Sequence, residues 1–313
     1  MKLITIIVPV FNEEKNIPIF YTTVIKVIDQ LSDTYDFEII FTDNHSDDLT
    51  FDVLKGLNVH DKRIRVYRFS RNFGYQHSIL EGYRRAKGEA VIQLDCDLED
   101  PPSLIPTFLN LWEKGYQVVY GIRKIRKETY FLKKTRHLFY RLINWLSEQE
   151  LPLDAGDFRL VDRKIVNLLK NLNEAQPYLR GSIALMGFNQ IGIEYERGKR
   201  LHGDSKFPIS ALFNLGVDGI LNHSIKPLRI ASLIGVTVGS ITLFGIPIYF
   251  LGKLIYGGEW PAGYATVVIL LLIGLSMNAL FLGIIGEYVG KIYKQSRFDK
   301  GVIVEESIDK DSL

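Results

Sequence analysis

The chain has 313 residues, 47% of them hydrophobic and 24% charged, with a formal net charge of +2; that length accommodates about one to three domains with packed cores. The near-neutral balance argues against a nucleic-acid-binding protein, which would need a strongly basic surface. The single cysteine, Cys96, excludes an intrachain disulfide, and the lack of C-x-x-C and H-E-x-x-H patterns argues against structural zinc and for a reducing compartment.

At the start of the chain, LITIIVPVF is short, runs directly into Asn12-Glu13-Glu14 and lacks a small-residue cleavage site, so it is predicted as a first strand and not a signal peptide. Apolar runs rich in β-branched and aromatic residues predict strands over 3–10, 37–42, 64–69, 90–95 and 117–120. Between the first two, residues 16–31 carry Ile17, Phe20, Tyr21, Val24, Ile25, Ile28 and Leu31 at the spacing of one helical face. Segments 47–57, 75–87 and 102–114 are less regular helices. Alternating strands and helices predict an α/β fold with a mostly parallel sheet, whose ligands bind at the carboxyl ends of the strands. Asn12-Glu13-Glu14, Asp43-Asn44 and Asp95-Cys96-Asp97 all follow predicted strands, so these three polar clusters should meet in one crevice.

The third cluster carries the strongest signal. In AVIQLDCDLEDPP, residues 90–102, a buried-looking strand ends in Asp95, Asp97, Glu99 and Asp100. If the extended conformation persists past Leu94, its period of two sends Asp95, Asp97 and Glu99 to one side. Carboxylates that close repel unless a cation or hydrogen bonds compensate, and an all-oxygen set suits a hard ion, Mg²⁺ or Mn²⁺. Taken alone, acids followed by Pro-Pro are better read as a polar turn at a helix N-terminus. Arg123 to Arg136 then holds seven basic residues against one acid, Glu128, which fits a solvated face or attraction to anionic headgroups as well as a ligand site. Asp157, in DAGDFRL, is open to a loop or capping role.

The last third of the chain changes character. Residues 230–252 and 260–286 are stretches of 23 and 27 positions without a charge, each long enough to cross a hydrocarbon core of about 30 Å. They predict two membrane helices, over about 230–252 and 261–286, joined by a short connection into an antiparallel hairpin. Lys226 and Arg229 precede the hairpin and Lys291, Lys294, Arg297 and Lys300 follow it, which places both termini in the cytoplasm. The predicted organisation is a cytoplasmic catalytic domain over 1–206, an interfacial amphipathic segment over 207–228, the transmembrane hairpin over 229–290 and a cytoplasmic tail over 291–313. Gly235, Gly239 and Gly245 would allow close helix contact.

The stretches IIVPVFNEE, FTDNHSDD, RNFGYQHSILEG and LDCDLEDPP, in this order and spacing, resemble family 2 glycosyltransferases of the GT-A fold. DAGDFRL, RLHGDSKF, DGILNHSIKPLRIA and GEYVGKIY extend the resemblance over nearly the whole chain and narrow it to polyprenyl-phosphate glycosyltransferases. These include bactoprenol glucosyltransferases of the GtrB kind and, more distantly, dolichol-phosphate mannose synthase. The resemblance implies a hexosyltransferase that moves a sugar from a nucleotide sugar to a polyprenyl phosphate at the cytoplasmic face of the inner membrane, for later cell-envelope glycosylation. UDP-glucose and undecaprenyl phosphate are the favoured substrates, with GDP-mannose as the alternative donor and a non-catalytic, membrane-anchored nucleotide-sugar scaffold as the alternative function. A homo-oligomer such as a tetramer is compatible with the resemblance.

By the same resemblance, Pro9, Asn12, Glu13 and Asp43 lie around the nucleotide, and Asp95 reaches toward ribose or metal. Asp97 holds Mg²⁺ or Mn²⁺ with Asp95 and Glu99 beside it, stabilising the departing diphosphate. Asn44-His45 replaces the family's commoner Asp-Gly at that point of the nucleotide loop. The acceptor phosphate needs positive charge to place its oxygen for in-line attack. Family spacing assigns that role to Arg200, Ser205 and Lys206, with Arg123 and Arg136 from the basic stretch. A phosphate monoester is mostly deprotonated at neutral pH, so Asp157 is expected to support by charge or position more than by proton abstraction.

Overall fold

Strand β1 (Lys2–Val10) is buried from Ile4 onward, as suits a central strand covered on both faces. It pairs in parallel with β2 (Tyr35–Asp43) on one side and β4 (Ala90–Gln93) on the other. These relationships come from a computed structural model that describes residues 1–123, 155–198, 226–256, 263–297 and 301–309. Strand β3 (Ile64–Phe69) continues the parallel set beside β2, while β6 (Ala155–Asp162) inserts antiparallel between β4 and β5 (Val118–Arg123). Strand β7 (Gln190–Tyr195) closes one edge in parallel with β5, and β8 (Val304–Ile308) closes the other, antiparallel to β3. The eight-stranded order is β7-β5-β6-β4-β1-β2-β3-β8.

Side-chain alternation along β1 builds the two cores. Ile4, Ile6, Val8 and Val10 face one layer, packed by Phe20 and Val24 of α1 (Ile17–Asp29), Leu54 of α2 (Thr50–His60) and Phe108 of α4 (Ile105–Glu113). Ile7 faces the other layer, with Leu80 and Tyr83 of α3 (Tyr75–Arg85), Ile165 of α5 (Arg163–Lys170) and Ile183 of α6 (Leu179–Leu185). Helix α1 starts where Pro18 occupies its first turn, a position that needs no backbone donor. Because the chain runs β1-β2-β3 outward and then returns to place β4 on the far side of β1, a crevice opens at the carboxyl ends of β1 and β4.

The predicted strands and helices of the first 123 residues are all present, with one consequential difference. Strand β4 ends at Gln93, two residues before Asp95. The backbone NH of Glu99 bonds back to Asp97 Oδ1 at 3.1 Å and Leu98 takes φ +57°, so the extended run that would align Asp95, Asp97 and Glu99 is broken.

Residues 226–297 belong to a second unit. It contains two long helices: α7 (Lys226–Tyr256) covers the first predicted span and extends beyond both its ends, and α8 (Tyr264–Arg297) follows the second from Tyr264 and runs past its end. Their described apolar side chains are widely exposed: Leu233 at 67%, Phe244 at 71% and Leu282 at 63%. Among the described residues one stretch, Ile273–Ser296, is long and apolar enough to cross a membrane. The helix that contains it continues through Glu287 to Arg297, past the end of the predicted 261–286. Residues 301–309, expected as part of a tail, instead return to the first unit and supply β8. Arg136, Arg200, Ser205, Lys206 and the interfacial segment up to residue 225 lie outside the described residues.

Candidate active site

Three loops at the carboxyl ends of β1, β2 and β3 are stapled together by side chains. Asn12, at φ +57°, gives its backbone NH to Ser46 Oγ at 2.9 Å and accepts from the Asp47 NH at 2.9 Å. Asp43 ends β2 fully buried; its Oδ1 accepts from the NH and hydroxyl of Ser46 at 3.0 and 2.6 Å. Its Oδ2 has no hydrogen-bond partner, and Arg68 Nε stands 3.9 Å away. Burial pushes the Asp43 carboxyl above its usual range, and the Ser46 hydrogen bonds and Arg68 only partly offset this. An orphaned buried acceptor here fits a ligand that brings hydrogen-bond donors, as a nucleoside does. Pro9 lies in β1 opposite Thr42, one residue before that carboxylate.

Glu13 gives its NH to Thr50 Oγ1 at 2.8 Å, and its carboxylate accepts from Asn16 Nδ2 at 2.5 Å. It also faces Cys96: burial, then the charges of Glu13, Asp97 and Asp95, hold that thiol well above its usual range. The β1 loop and the acidic loop are thus neighbours, as the sequence order of polar clusters predicts. Asn44 has a structural task. Its amide donates to Asn72 Oδ1 at 2.8 Å and its carbonyl accepts from the Phe73 NH at 2.8 Å, so both ends are committed to the β3–α3 loop.

Asp95 lies past the end of β4. Burial pushes its carboxyl up to about 7; the Tyr75 hydroxyl, donating at 2.7 Å, lowers it, while the charges of Asp97, Asp157 and Asp100 raise it further. Asp97 is only 6% exposed. Around this acidic pair the outer carboxylates each meet an arginine. Arg123 Nη2 lies 3.2 Å from Asp100, whose other oxygen accepts from the Tyr195 hydroxyl. Arg180 lies 3.1 Å and Arg159 3.9 Å from Asp157. Arg197 pairs with Glu99.

This arrangement revises the metal assignment. Glu99 is turned to Arg197, and among the described residues no group of three His, Cys, Asp or Glu side chains is assembled to hold an ion. The two remaining carboxylates, Asp95 and Asp97, still fit a hard cation: a buried acid crowded by like charge is what an ion relieves, and Mg²⁺ uses one or two carboxylates together with substrate phosphates. Arg123, expected at the acceptor phosphate, is partnered by Asp100. Tyr75, Gln93, Arg180 and Tyr195 were not singled out from sequence. A glutamine in the otherwise apolar strand AVIQ was the one available signal, since a buried amide demands a partner.

The architecture is an α/β domain with a mostly parallel sheet and an acidic pair beside its topological switch point, the arrangement expected of the GT-A fold. The family model described as Glycosyl transferase family 2 matches residues 5–169, which run from β1 into α5. The chain belongs to that family and is a transferase. It is 38% identical over 304 residues to an uncharacterized glycosyltransferase, YkcC, of Bacillus subtilis, covering 97% of this chain and 93% of that one. It is 34% identical over 308 residues to the bactoprenol glucosyl transferase of Shigella phage SfV, covering 98% and 99%. Among solved structures, glucosyl-3-phosphoglycerate synthase from Mycobacterium tuberculosis with bound UDP is similar at TM-score 0.46 and 19% identity, over 70% of this chain and 78% of that one.

Proposed function

We propose that this transferase moves a hexose from a nucleotide sugar, with UDP-glucose the favoured donor, to a polyprenyl phosphate such as undecaprenyl phosphate at the cytoplasmic membrane face. The observation that carries the reading is the Asp95–Asp97 pair at the β1–β4 crevice, surrounded by arginine-matched carboxylates. The near full-length likeness to a bactoprenol glucosyl transferase supports the choice of acceptor.

In this reading Asp43, Asn12 and Glu13 line the nucleotide end, and Asp95 and Asp97 hold Mg²⁺ or Mn²⁺. An ion held there would supply Lewis-acid stabilisation to the leaving diphosphate. An oxygen of the lipid phosphate attacks the anomeric carbon as the bond to the nucleotide diphosphate breaks, and no proton need be removed because the monoester is already largely ionised. Direct attack inverts the anomeric centre. A product of inverted configuration by NMR supports this route, and a retained one excludes it.

Arg123, with Arg136, Arg200, Ser205 and Lys206, draws the acceptor phosphate into line. For Lys206→Ala the reading expects about a tenfold higher KM for lipid phosphate, with donor binding unchanged; an unchanged KM returns that residue to structure.

The membrane anchor is a two-span hairpin of α7 and α8. Support comes from connectivity: the chain leaves the catalytic domain before α7 and rejoins its sheet as β8 after α8. A segment that starts and ends in one folded domain crosses a bilayer an even number of times. Lys226 and Arg229 before it and Lys291, Lys294 and Arg297 after it put that domain, and both termini, on the cytoplasmic side. Labelling of single cysteines introduced between residues 257 and 262, from outside intact cells, tests this topology.

A further inference from the structure

The segment RNFGYQHSILEG contributes more than a turn. Gly74 takes φ +95° with nothing within 4 Å of where a Cβ would stand, so the backbone conformation, not space, demands glycine there. Asn72 Oδ1 accepts from Gly74 NH at 2.9 Å and from Asn44 at 2.8 Å, fixing the loop to the end of β2. The constrained loop delivers Tyr75, the first residue of α3, to the acidic pair.

Tyr75 donates its hydroxyl proton to Asp95 Oδ1 at 2.7 Å and accepts from Gln93 Nε2 at 3.2 Å. The direction is fixed by inventory. A hydroxyl has one proton; with Asp95 ionised, as holding a cation requires, the carboxylate can only accept, so the proton points to Asp95 and the amide presents NH₂. Gln93 is 2% exposed in the last position of β4, where an amide with no partner would be costly. The relay Gln93 to Tyr75 to Asp95 therefore occupies one carboxylate oxygen and sets the plane of the other.

We propose that Tyr75 is a positioning residue for the transfer reaction: backed by Gln93, its hydroxyl fixes the Asp95 carboxylate so that its second oxygen is preset for the divalent cation accompanying the nucleotide-sugar diphosphate. This rests on the metal-dependent reading above. Removing a hydrogen bond that orients a metal-binding side chain commonly weakens affinity for the ion by about 10- to 100-fold.

The test is Mn²⁺ binding, followed by electron paramagnetic resonance, to the full-length protein in detergent with UDP, and with GDP in parallel. Tyr75→Phe keeps the ring and removes only the oxygen, so the fold is retained. It should weaken Mn²⁺ binding about tenfold while leaving nucleotide affinity without metal unchanged, and saturating Mn²⁺ should restore most of kcat. Gln93→Met should weaken Mn²⁺ less, and the double variant should match Tyr75→Phe, because the amide acts only through the hydroxyl. Wild-type Mn²⁺ affinity in Tyr75→Phe, or additive effects in the double variant, overturns the proposal. Wild-type protein that binds nucleotide but no Mn²⁺ overturns the metal reading itself, a separate result.

Discussion

Arg65 and Asp309 lie 244 positions apart, yet the Arg65 guanidinium gives two hydrogen bonds, 2.9 and 2.6 Å, to one oxygen of the Asp309 carboxylate. Tyr67 donates to the same oxygen at 2.5 Å, and Glu38 accepts from the other side of Arg65 at 2.8 Å. The side chains of Arg65, Glu38 and Asp309 are only 10%, 9% and 12% exposed. The chain that leaves α8 is thereby locked to the catalytic sheet by a buried charge network as well as by the β3–β8 ladder.

The lock should be sensitive to acid. Burial alone would raise the Asp309 carboxyl, but hydrogen bonds from Arg65 and Tyr67, with the Arg65 charge, hold it down at about 2. A folded-state value below the unfolded one of roughly 4 contributes stability that is fully present above that pH and lost as pH falls from about 4 to 2; the contribution is about 2 kcal/mol. Asp309→Asn should lose about that much at pH 7, and its unfolding midpoint should fall less than the wild type's between pH 4 and 2. Parallel acid profiles would contradict the assignment.

Asp157 offers a second test. Held by Arg180 and Arg159, it serves to balance two largely buried guanidiniums, so removing its charge should cost about 2–3 kcal/mol. The pH–rate profile of Asp157→Asn should keep the wild-type shape at reduced rate. Loss of its acid limb would make Asp157 a general base.

Gly121 tests the Arg123 environment without touching a charge. A Cβ there would stand 2.5 Å from Tyr195 Cε1. The Tyr195 ring is packed edge-on against Phe158 at 6.2 Å and its hydroxyl binds Asp100, so it cannot simply step aside. Gly121→Ala should destabilise by about 1–3 kcal/mol and slow transfer by moving the Asp100–Arg123 pair. Unchanged stability and rate would show that the ring is free to shift.

Asp97→Asn removes charge while keeping the oxygen that accepts from the Glu99 NH, so the loop survives. Transfer should fall about 100-fold with an unfolding midpoint close to wild type. Normal metal-dependent turnover would remove Asp97 from the metal site.

Most of the fold was legible because periodicity reports local burial: the run LITIIVPVF and the α1 stripe Ile17, Phe20, Val24, Ile28 each name their own element. The convergence of Asn12, Asp43 and Asp95 followed from strand order alone. Illegible were the features decided by tertiary partners. Glu99 leaves the acidic set because Arg197, nearly a hundred residues on, takes it. Strand β8, VEESI, carries three polar residues in five and shows no strand pattern of its own, since one edge pairing and the Arg65–Asp309 contact hold it. Asn44 looked like an altered nucleotide contact, whereas its amide is a strut to Asn72 and Phe73.

Purified full-length protein in detergent, given Mg²⁺ or Mn²⁺, undecaprenyl phosphate and a panel of radiolabelled nucleotide sugars, should move label from one donor, UDP-glucose foremost, into the organic phase. No label from any donor, by protein that still binds nucleotide, would contradict the account and leave a membrane-anchored nucleotide-sugar-binding scaffold in its place.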